Sequence, residues 1–99
     1  MEAMDISALI IHPKDNVATA VRPLPAGERL RLSVNGGALE LTLVEDIAQG
    51  HKLALTRIGQ GEPVVKYGET IGLATLNILA GEHVHVHNVE GRKGRGDRR

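Results

Sequence analysis

Three histidines fall within one short run of alternating residues, in which His83, His85 and His87 are separated by Val84 and Val86. In an extended strand successive side chains point to opposite faces, so the three imidazoles would share one face, with neighbours about 7 Å apart. Imidazole nitrogen binds Zn, Fe, Cu and Ni, which makes this stripe a candidate metal site. The alternative is a half-buried strand whose polar face is solvated or meets another subunit. Because His-x-His is a weak signal beside His-Glu-x-x-His, the pattern alone favours that alternative.

A second set of polar side chains lies at predicted turns, where small β folds collect functional groups. The set comprises His12, Asp15 and Asn16 on one turn, His51 and Lys52 after Gly50, and Lys66 and Tyr67 at the end of a strand. Ammonium groups bind carboxylates, and imidazole serves as a general base or as a metal ligand. Because cations and imidazoles outnumber acids in this set, it predicts an acidic substrate. No Ser-His-Asp spacing, phosphate-binding glycine loop or pair of carboxylates is evident in the sequence.

A repeated motif is expected to position these residues. Each copy has an aliphatic residue, a turn that ends in glycine, and a strand with apolar residues three and five positions after that glycine; we call it the glycine-turn motif. Its copies occupy residues 24–32, 47–55, 58–65 and 79–86. Glycine permits the positive φ that the corner requires, and the aliphatic residue is expected to anchor the turn in the core. The irregular spacing of the copies argues against a solenoid and predicts a compact fold that reuses one corner.

Lys66 is an exception within this motif. Five positions after the glycine, the other copies carry Leu32, Leu55 and Val86. Burying an unpaired charge is costly, so two interpretations remain open. The strand bends or ends there and the lysine extends to solvent, or the lysine faces a cleft that takes an anionic ligand.

The remaining pattern predicts a mainly β domain over residues 1–91. Leu39, Leu41 and Leu43 alternate with polar residues as in a half-buried strand, and no window has a sustained helical period. Further strands are predicted at 5–11, 17–22 and 28–34, with a tight hairpin at 35–37 and an ambiguous segment at 70–79. We therefore predict short strands joined by glycine-closed turns.

Composition limits the classes of function. The 99 residues include no cysteine, tryptophan or phenylalanine, so the core must be aliphatic, and disulfides, thiolate metal sites and cysteine nucleophiles are excluded. Neither a signal peptide nor an apolar run near the roughly 20 residues of a membrane span is evident, which predicts a cytoplasmic protein without a membrane partner.

The final segment, residues 92–99, holds five basic residues and one acid. We predict a flexible tail. Binding of nucleic acid through this tail is a third hypothesis for function, and it predicts an affinity that falls steeply with salt. The near absence of aromatic residues argues against base stacking, so nucleic acid is not the expected partner.

The runs 45–55, 65–72 and 81–89, together with the opening run 12–18, resemble a known family. They are similar to the small subunit, or N-terminal SAF domain, of the altronate and galactarate dehydratases, and to the small subunit of sulfolactate sulfo-lyase. The resemblance implies an SAF-type β-clip fold and an iron-dependent lyase that acts on a sugar acid or a sulfonated hydroxy acid. The chain ends soon after the last motif, as split small subunits do, so a separate large subunit is expected to carry most of the catalytic machinery.

The resemblance also implies roles for individual residues. The predicted catalytic residues are His12, Asp15 and His51, the substrate-binding residues are Asn16, Lys52, Lys66, Tyr67 and Gly68, and the metal ligands are His85 and His87. The cofactor would be Fe(II) or another divalent metal, shared with the large subunit, and the substrate an anionic hydroxy acid. Without the large subunit, the small chain is expected to be inactive. A homo-oligomer of the small chain is a further possible assembly.

Two alternatives to an altronate dehydratase-like small subunit stay open. One is the small subunit of sulfolactate sulfo-lyase. The other is a non-catalytic ligand-binding or assembly module, because fold alone does not decide function. A large dehydratase-like subunit in the neighbouring reading frame would favour an enzyme.

Overall fold

The computed structural model describes residues 7–34 and 36–91, which form nine β-strands and no helix. The strands are β1 (Ala8–Leu9), β2 (Val17–Ala20), β3 (Arg29–Val34), β4 (Gly37–Thr42), β5 (Lys52–Ala54), β6 (Pro63–Lys66), β7 (Glu69–Ala74), β8 (His83–Val84) and β9 (Val89–Gly91). They build a four-stranded sheet in the order β1-β2-β5-β8, a β3-β4 hairpin and a three-stranded sheet in the order β6-β7-β9. Every strand pair is antiparallel. The prediction of a mainly β fold of short strands is confirmed.

The four-stranded sheet separates two hydrophobic cores. Because neighbours along a strand point to opposite faces, Ala18 and Leu53 enter a core shared with the β3-β4 hairpin. Val17 and Ala54 enter the other core, which is shared with β6 and β7. Full burial of an aliphatic side chain contributes about 1.5–3 kcal/mol, so both faces of this one sheet stabilise the molecule.

The glycine-turn motif organises both cores. The residue three positions after each glycine is 0% exposed in all four copies, at Leu30, Leu53, Val64 and Val84. Backbone bridges join the anchoring residues in pairs, Leu24 with Ile47 and Ile58 with Ile78. The four glycines have φ between 83° and 90°. The predicted corner is therefore confirmed.

Two details of the fourth copy were predicted wrongly. Its buried anchor is Ile78, whereas Leu79, with which the predicted copy begins, is 52% exposed. Val86, predicted to be apolar and buried like Leu32, is 82% exposed. The reason is that β8 ends at Val84, before the chain reaches that position.

The predicted extended stripe of histidines is wrong for the same reason. Residues 85–88 form a turn in which the Asn88 N–H donates to the His85 carbonyl at 3.1 Å. The Asn88 side chain also bonds to the local backbone, which offers these residues an alternative to a continued ladder. Alternation of residue types therefore overestimated the length of the strand.

Other segments follow the prediction more closely. β3 and β4 pair up to Val34 opposite Gly37, and Gly36 has φ 80°, as the tight hairpin requires; Asn35 lies outside the described residues. The predicted first strand is confined to Ala8–Leu9, with residues 5 and 6 outside the described part, and the ambiguous segment at 70–79 contains most of β7. The predicted flexible tail at 92–99 also lies outside that part. Within the two described ranges, we find no helix of the length and apolarity that a bilayer crossing requires.

Candidate functional site

Three imidazoles converge where β5 and β8 begin. His51 follows the glycine turn directly before β5, and His83 opens β8. The register of the two strands sets Leu53 opposite His83, so His83 and His51 lie on the same face of the sheet. His85 follows the end of β8 and approaches from the edge. One ring nitrogen from each of the three histidines lies within 4.8 Å of the others.

The rings of this imidazole cluster (His51, His83 and His85) are nearly parallel. His51 Nδ1 lies 2.8 Å from His83 Nε2, at hydrogen-bond distance. The ring centroids of His51 and His85 are 4.0 Å apart, with 12° between the ring planes. The predicted ligand His87 is exposed, and its ring stacks on His83 at 5.1 Å instead of joining the group of three.

The donor set fits a transition metal. Nitrogens bound tetrahedrally to one ion at about 2.1 Å lie about 3.4 Å apart. The ligand nitrogens here lie within 4.8 Å of one another, and the stacked rings would have to turn before their in-plane lone pairs meet on one ion. Imidazole suits Zn, Fe, Cu and Ni, whereas Mg and Ca prefer oxygen ligands. The cluster therefore fits a divalent transition metal of the kind that the sequence suggested, with His51 and His83 in the set beside His85.

Two residues that sequence reasoning missed hold the cluster in place. Asn88 is 5% exposed; its Oδ1 accepts the His85 N–H at 3.0 Å and its Nδ2 donates to the His83 carbonyl at 2.8 Å. A Glu45 carboxylate oxygen accepts the His83 N–H at 3.0 Å. An asparagine three residues after His85 was an available signal, because Asn closes turns on its own backbone. Glu45 is 38 residues from His83, so no local pattern could indicate it.

Burial and neighbouring groups disfavour the protonated form of His83 and His85. Partial burial, followed by the neighbouring His87, His51 and His85, lowers the pKa of His83, and Glu45 opposes this only weakly. Desolvation also lowers the pKa of His85, together with the nearby His51, Lys52 and His87. Neutral imidazole is the form that binds metal, so both shifts favour ligation at neutral pH.

Lys52 and Lys66 form a cationic pair beside the cluster. Burial lowers the pKa of Lys52, and the positive charge of Lys66 lowers it further. In the part of the chain that the structure describes, the ion pairs involve arginines, and neither lysine meets a carboxylate within 4.0 Å. Lys66 Nζ lies 5.0 Å from the Tyr67 ring centroid. An anionic ligand would therefore find two cations that lack an acidic partner.

The cleft at Lys52 has a volume of about 220 Å³ and is lined by Lys52, Ile71, His85, Val86, Val89 and Gly91. Thr19 lies opposite Lys52 in the β2–β5 register and on the same face of the sheet. Its Oγ1 is buried and has no hydrogen-bond partner among the described protein groups. A second cleft, of about 440 Å³, is lined in part by His51 and His83. The imidazole cluster thus lies between two clefts.

The other predicted site residues gather at the β6–β7 turn. Asp15 is buried, and its two carboxylate oxygens accept the N–H groups of His12 at 3.0 Å and Gly68 at 2.8 Å. Asn16 Oδ1 accepts the Val65 N–H at 2.8 Å. These bonds fasten the first turn to β6, and the catalytic and binding roles of these residues stay predictions.

Gly68 and Tyr67 complete this second group. A Cβ added at Gly68 would lie 2.8 Å from His12 Nε2, so only glycine admits the His12 ring there. Tyr67 has φ 60° and is 60% exposed, which presents its hydroxyl to solvent or to a partner.

The two groups do not form one compact pocket. Leu55 N–H donates to the Asn16 carbonyl, whereas Lys52 pairs with Thr19, three residues further along β2. At about 3.3 Å per residue, this separates the two levels by about 10 Å. Lys66 precedes the β6–β7 turn in the sequence, and its positive charge lowers the pKa of Lys52. It therefore connects the residues at that turn with the Lys52 cleft.

Comparison with known proteins places these features in context. The sequence profile described as "Altronate/galactarate dehydratase SAF domain" matches residues 6–92. The chain is similar to altronate dehydratase of Escherichia coli (strain K12), at 49% identity over 78 residues, covering 79% of this chain and 15% of the relative. It is also similar to altronate dehydratase of Bacillus subtilis (strain 168), at 42% identity over 84 residues, covering 85% of this chain and 16% of the relative. The chain thus spans about one sixth of the length of these two relatives.

A third relative is aligned over most of its own length as well as most of this chain. The (2R)-sulfolactate sulfo-lyase subunit alpha of Chromohalobacter salexigens is 34% identical over 88 residues. The alignment covers 85% of this chain and 94% of that subunit.

Proposed function

The chain belongs to the altronate/galactarate dehydratase SAF domain family, and on that premise we propose that it supplies part of the active centre of a hydroxy-acid lyase. The reaction is elimination of water from a sugar acid such as altronate, carried out in the cytoplasm with a separate large subunit. The observation that carries this proposal is the pair Lys52 and Lys66, two cations without a carboxylate partner in the described part, beside three imidazoles. Such a surface suits a carboxylate whose neighbouring carbon must lose a proton.

The lysines bind and orient the substrate. Charge-assisted hydrogen bonds from Lys52 and Lys66 hold the carboxylate, and Asn16, Tyr67 and Gly68 extend the binding surface toward the β6–β7 turn. In the elimination, the C–H bond next to the carboxylate breaks and its proton goes to a base. The electron pair forms the new C=C bond, the C–O bond at the next carbon breaks, and a general acid donates a proton to the departing hydroxide, which leaves as water. The ammonium groups stabilise the negative charge that develops on the carboxylate, the kind of electrostatic effect that contributes most to many enzymes.

A divalent metal, Fe(II) or a similar ion, completes the proposed centre. His51, His83 and His85 would hold it, and three protein nitrogens leave positions for groups from the large subunit or the substrate. When bound, such an ion supplies Lewis-acid polarisation of the substrate oxygens. A nitrogen that binds metal is not available to accept a proton. With His51 in the ligand set, the proton transfers therefore fall to His12 or to the large subunit.

Sulfolactate sulfo-lyase is the second candidate activity. It is favoured by the similarity to the (2R)-sulfolactate sulfo-lyase subunit alpha of Chromohalobacter salexigens, which is 34% identical over 88 residues. The same lysines would hold the carboxylate of sulfolactate, and the bond that breaks would be C–S, with sulfite as the leaving group. The non-catalytic module is the third candidate, and it requires neither lysine.

Reconstitution with the large subunit tests these candidates. The chain is purified with a large dehydratase subunit of the same genome, supplied with Fe(II), and assayed for elimination from altronate, galactarate and sulfolactate. Elimination is expected only with both chains present, and the preferred substrate decides between the two activities. Full activity of the large subunit alone would overturn the proposal in favour of a non-catalytic module.

Matched lysine variants test the anion site in the same assay. Loss of one hydrogen bond to a charged group costs about 1.5–3 kcal/mol, so Lys52→Met and Lys66→Met should each lower kcat/KM roughly ten- to hundredfold. Lys14→Met is the control, because Lys14 is an exposed lysine on the first turn and only its backbone N–H bonds to His12. Equal effects of all three substitutions would contradict the assignment of the cationic pair.

A further inference from the structure

We infer that the imidazole cluster is a complete divalent-metal site within this chain, loaded without the large subunit, and that Asn88 is the residue that positions it. This deepens the proposed function, since it rests on the proposed metal dependence. The inference is tested by metal binding to the chain alone, whereas the proposed function is tested by the lyase assay. A chain that binds metal but supports no lyase activity would confirm the inference and contradict the proposed function.

The backbone around His51 is fixed from both sides. Gly50 N–H donates to the Ala20 carbonyl at 2.8 Å, and the His51 carbonyl accepts the Ala20 N–H at 2.8 Å. His51 N–H closes the turn on the Ala48 carbonyl at 3.0 Å. The first ligand is thus anchored to β2 by main-chain bonds and needs no partner protein to fix it.

Asn88 fixes the other two ligands relative to each other. One side chain bonds to the His85 N–H at 3.0 Å and to the His83 carbonyl at 2.8 Å, and the Asn88 N–H closes the turn on the His85 carbonyl at 3.1 Å. Because Asn88 is 5% exposed, these bonds are shielded from competing water. Residues that orient ligands from outside the coordination sphere commonly change metal affinity 10- to 100-fold, so Asn88 is a positioning residue and not a ligand.

The chemistry of the donors indicates the class of ion that the cluster would bind. One hydrogen bond joins two of the rings, between His51 Nδ1 and His83 Nε2, and the remaining nitrogens of the cluster have no ring-to-ring hydrogen bond in the described structure. The three imidazole nitrogens, one from the start of β5 and two from β8 and the turn after it, select ions of the Zn, Fe, Co and Ni type and provide no oxygen for Mg or Ca. The same site would therefore bind Co(II) and Zn(II) and ignore Mg(II).

Metal titration of the full-length chain tests this inference. Protein stripped with a chelator is titrated with Co(II), followed by its visible absorption, and with Zn(II) in competition with a chromophoric chelator. One ion per chain is expected, unaffected by excess Mg(II). His51→Ala, His83→Ala and His85→Ala should each lower the affinity at least tenfold. A chain that binds neither ion, or a His87→Ala variant that loses as much affinity as His85→Ala, would overturn the proposed ligand set.

A matched pair of asparagine variants tests the positioning role. Asn77 also accepts a backbone N–H, that of Gln60 at 2.8 Å in a different turn, but it is exposed and none of the described hydrogen bonds joins it to the imidazoles. Asn88→Ala should lower Co(II) affinity about tenfold and alter the absorption spectrum, whereas Asn77→Ala should change neither. Asn88→Asp keeps the acceptor for His85 and loses the donor to His83, so a smaller loss is expected, and it serves if the alanine variant fails to fold. Wild-type affinity and spectrum in both Asn88 variants would overturn the role of Asn88.

Discussion

At the scale of single residues, Asp15 shows that a predicted catalytic carboxylate can already be engaged in hydrogen bonds that stabilise the fold. Both oxygens of its carboxylate accept backbone N–H groups, one from the residue that begins its own turn and one from Gly68. A carboxylate engaged in this way stabilises the approach of the first turn to the β6–β7 turn. Its proposed part in catalysis would then be to hold His12 in place.

The first prediction concerns this carboxylate. Asp15→Asn turns one acceptor into an NH₂ group that faces a backbone N–H, and an unsatisfied buried donor costs about 1–3 kcal/mol. We expect urea denaturation to show a loss of that size. Asp46→Asn is the control, because exposed Asp46 accepts a single N–H, from Ala26, and the amide oxygen can replace that bond. Equal losses for the two variants would contradict a structural role for the second oxygen of Asp15.

Candidate residues could be named from the sequence where the signal is local. His51, Lys52 and Lys66 were identified as candidates from their types and from their places beside turns. The structure places His51 and Lys52 in two clefts, and the charge of Lys66 acts on Lys52. Glu45 was missed because its contact with His83 joins residues 38 positions apart. Thr19 was missed because an ordinary strand residue gives no sign that its hydroxyl will lack a partner.

At the scale of elements, the glycine-turn motif was predictable because it follows local rules. A positive φ at its glycine and a buried residue three positions later need only the backbone corner and the hydrophobic effect. The end of β8 was not predicted, because the alternation of residue types continues past Val84. The strand ends there because the Asn88 side chain accepts the His85 N–H and closes a turn. The pairing of β5 with β8, which creates the imidazole cluster, depends on contacts between distant segments.

The second prediction separates two requirements at these corners. Gly81 has φ 87°, and a Cβ there would collide with the Thr42 carbonyl oxygen, whereas Gly61 has the same φ with nothing within 4 Å. Gly61→Ala should cost about 1–2 kcal/mol for the left-handed backbone alone. Gly81→Ala must also displace a main chain, so its midpoint in urea should be clearly lower. Similar midpoints for the two variants would show that the collision is relieved at little cost.

At the scale of the whole molecule, one sheet with a core on each face explains how so short a chain folds without tryptophan or phenylalanine. Leucines dominate the core on the hairpin side, while valine, isoleucine and alanine fill the other. The division was not predicted, because a fully buried strand shows no contrast between its faces. For the same reason the separation of about 10 Å between the two groups of candidate residues followed only from the strand register.

The third prediction is a pH dependence of global stability. The pKa values of His83 and His85 are lowered from the ordinary value of 6.5, so below that pH the unfolded chain binds more protons than the folded one. The free energy of unfolding should therefore be largest above pH 6.5 and fall as the pH drops through this value toward the lowered pKa values. Urea denaturation of chelator-treated protein between pH 7.5 and 5 measures this, and His85→Gln should flatten the slope. A variant curve parallel to that of the wild type would contradict it.

Because His51 and Lys52 are consecutive where β5 begins, their side chains leave the sheet in opposite directions. A one-residue slip of β5 against β2 and β8 would swap imidazole and ammonium between the two sides, and it would also turn Leu53 and Ala54 out of their cores. Homologous chains that retain both functions should therefore keep this register, because any slip costs core burial and site geometry together.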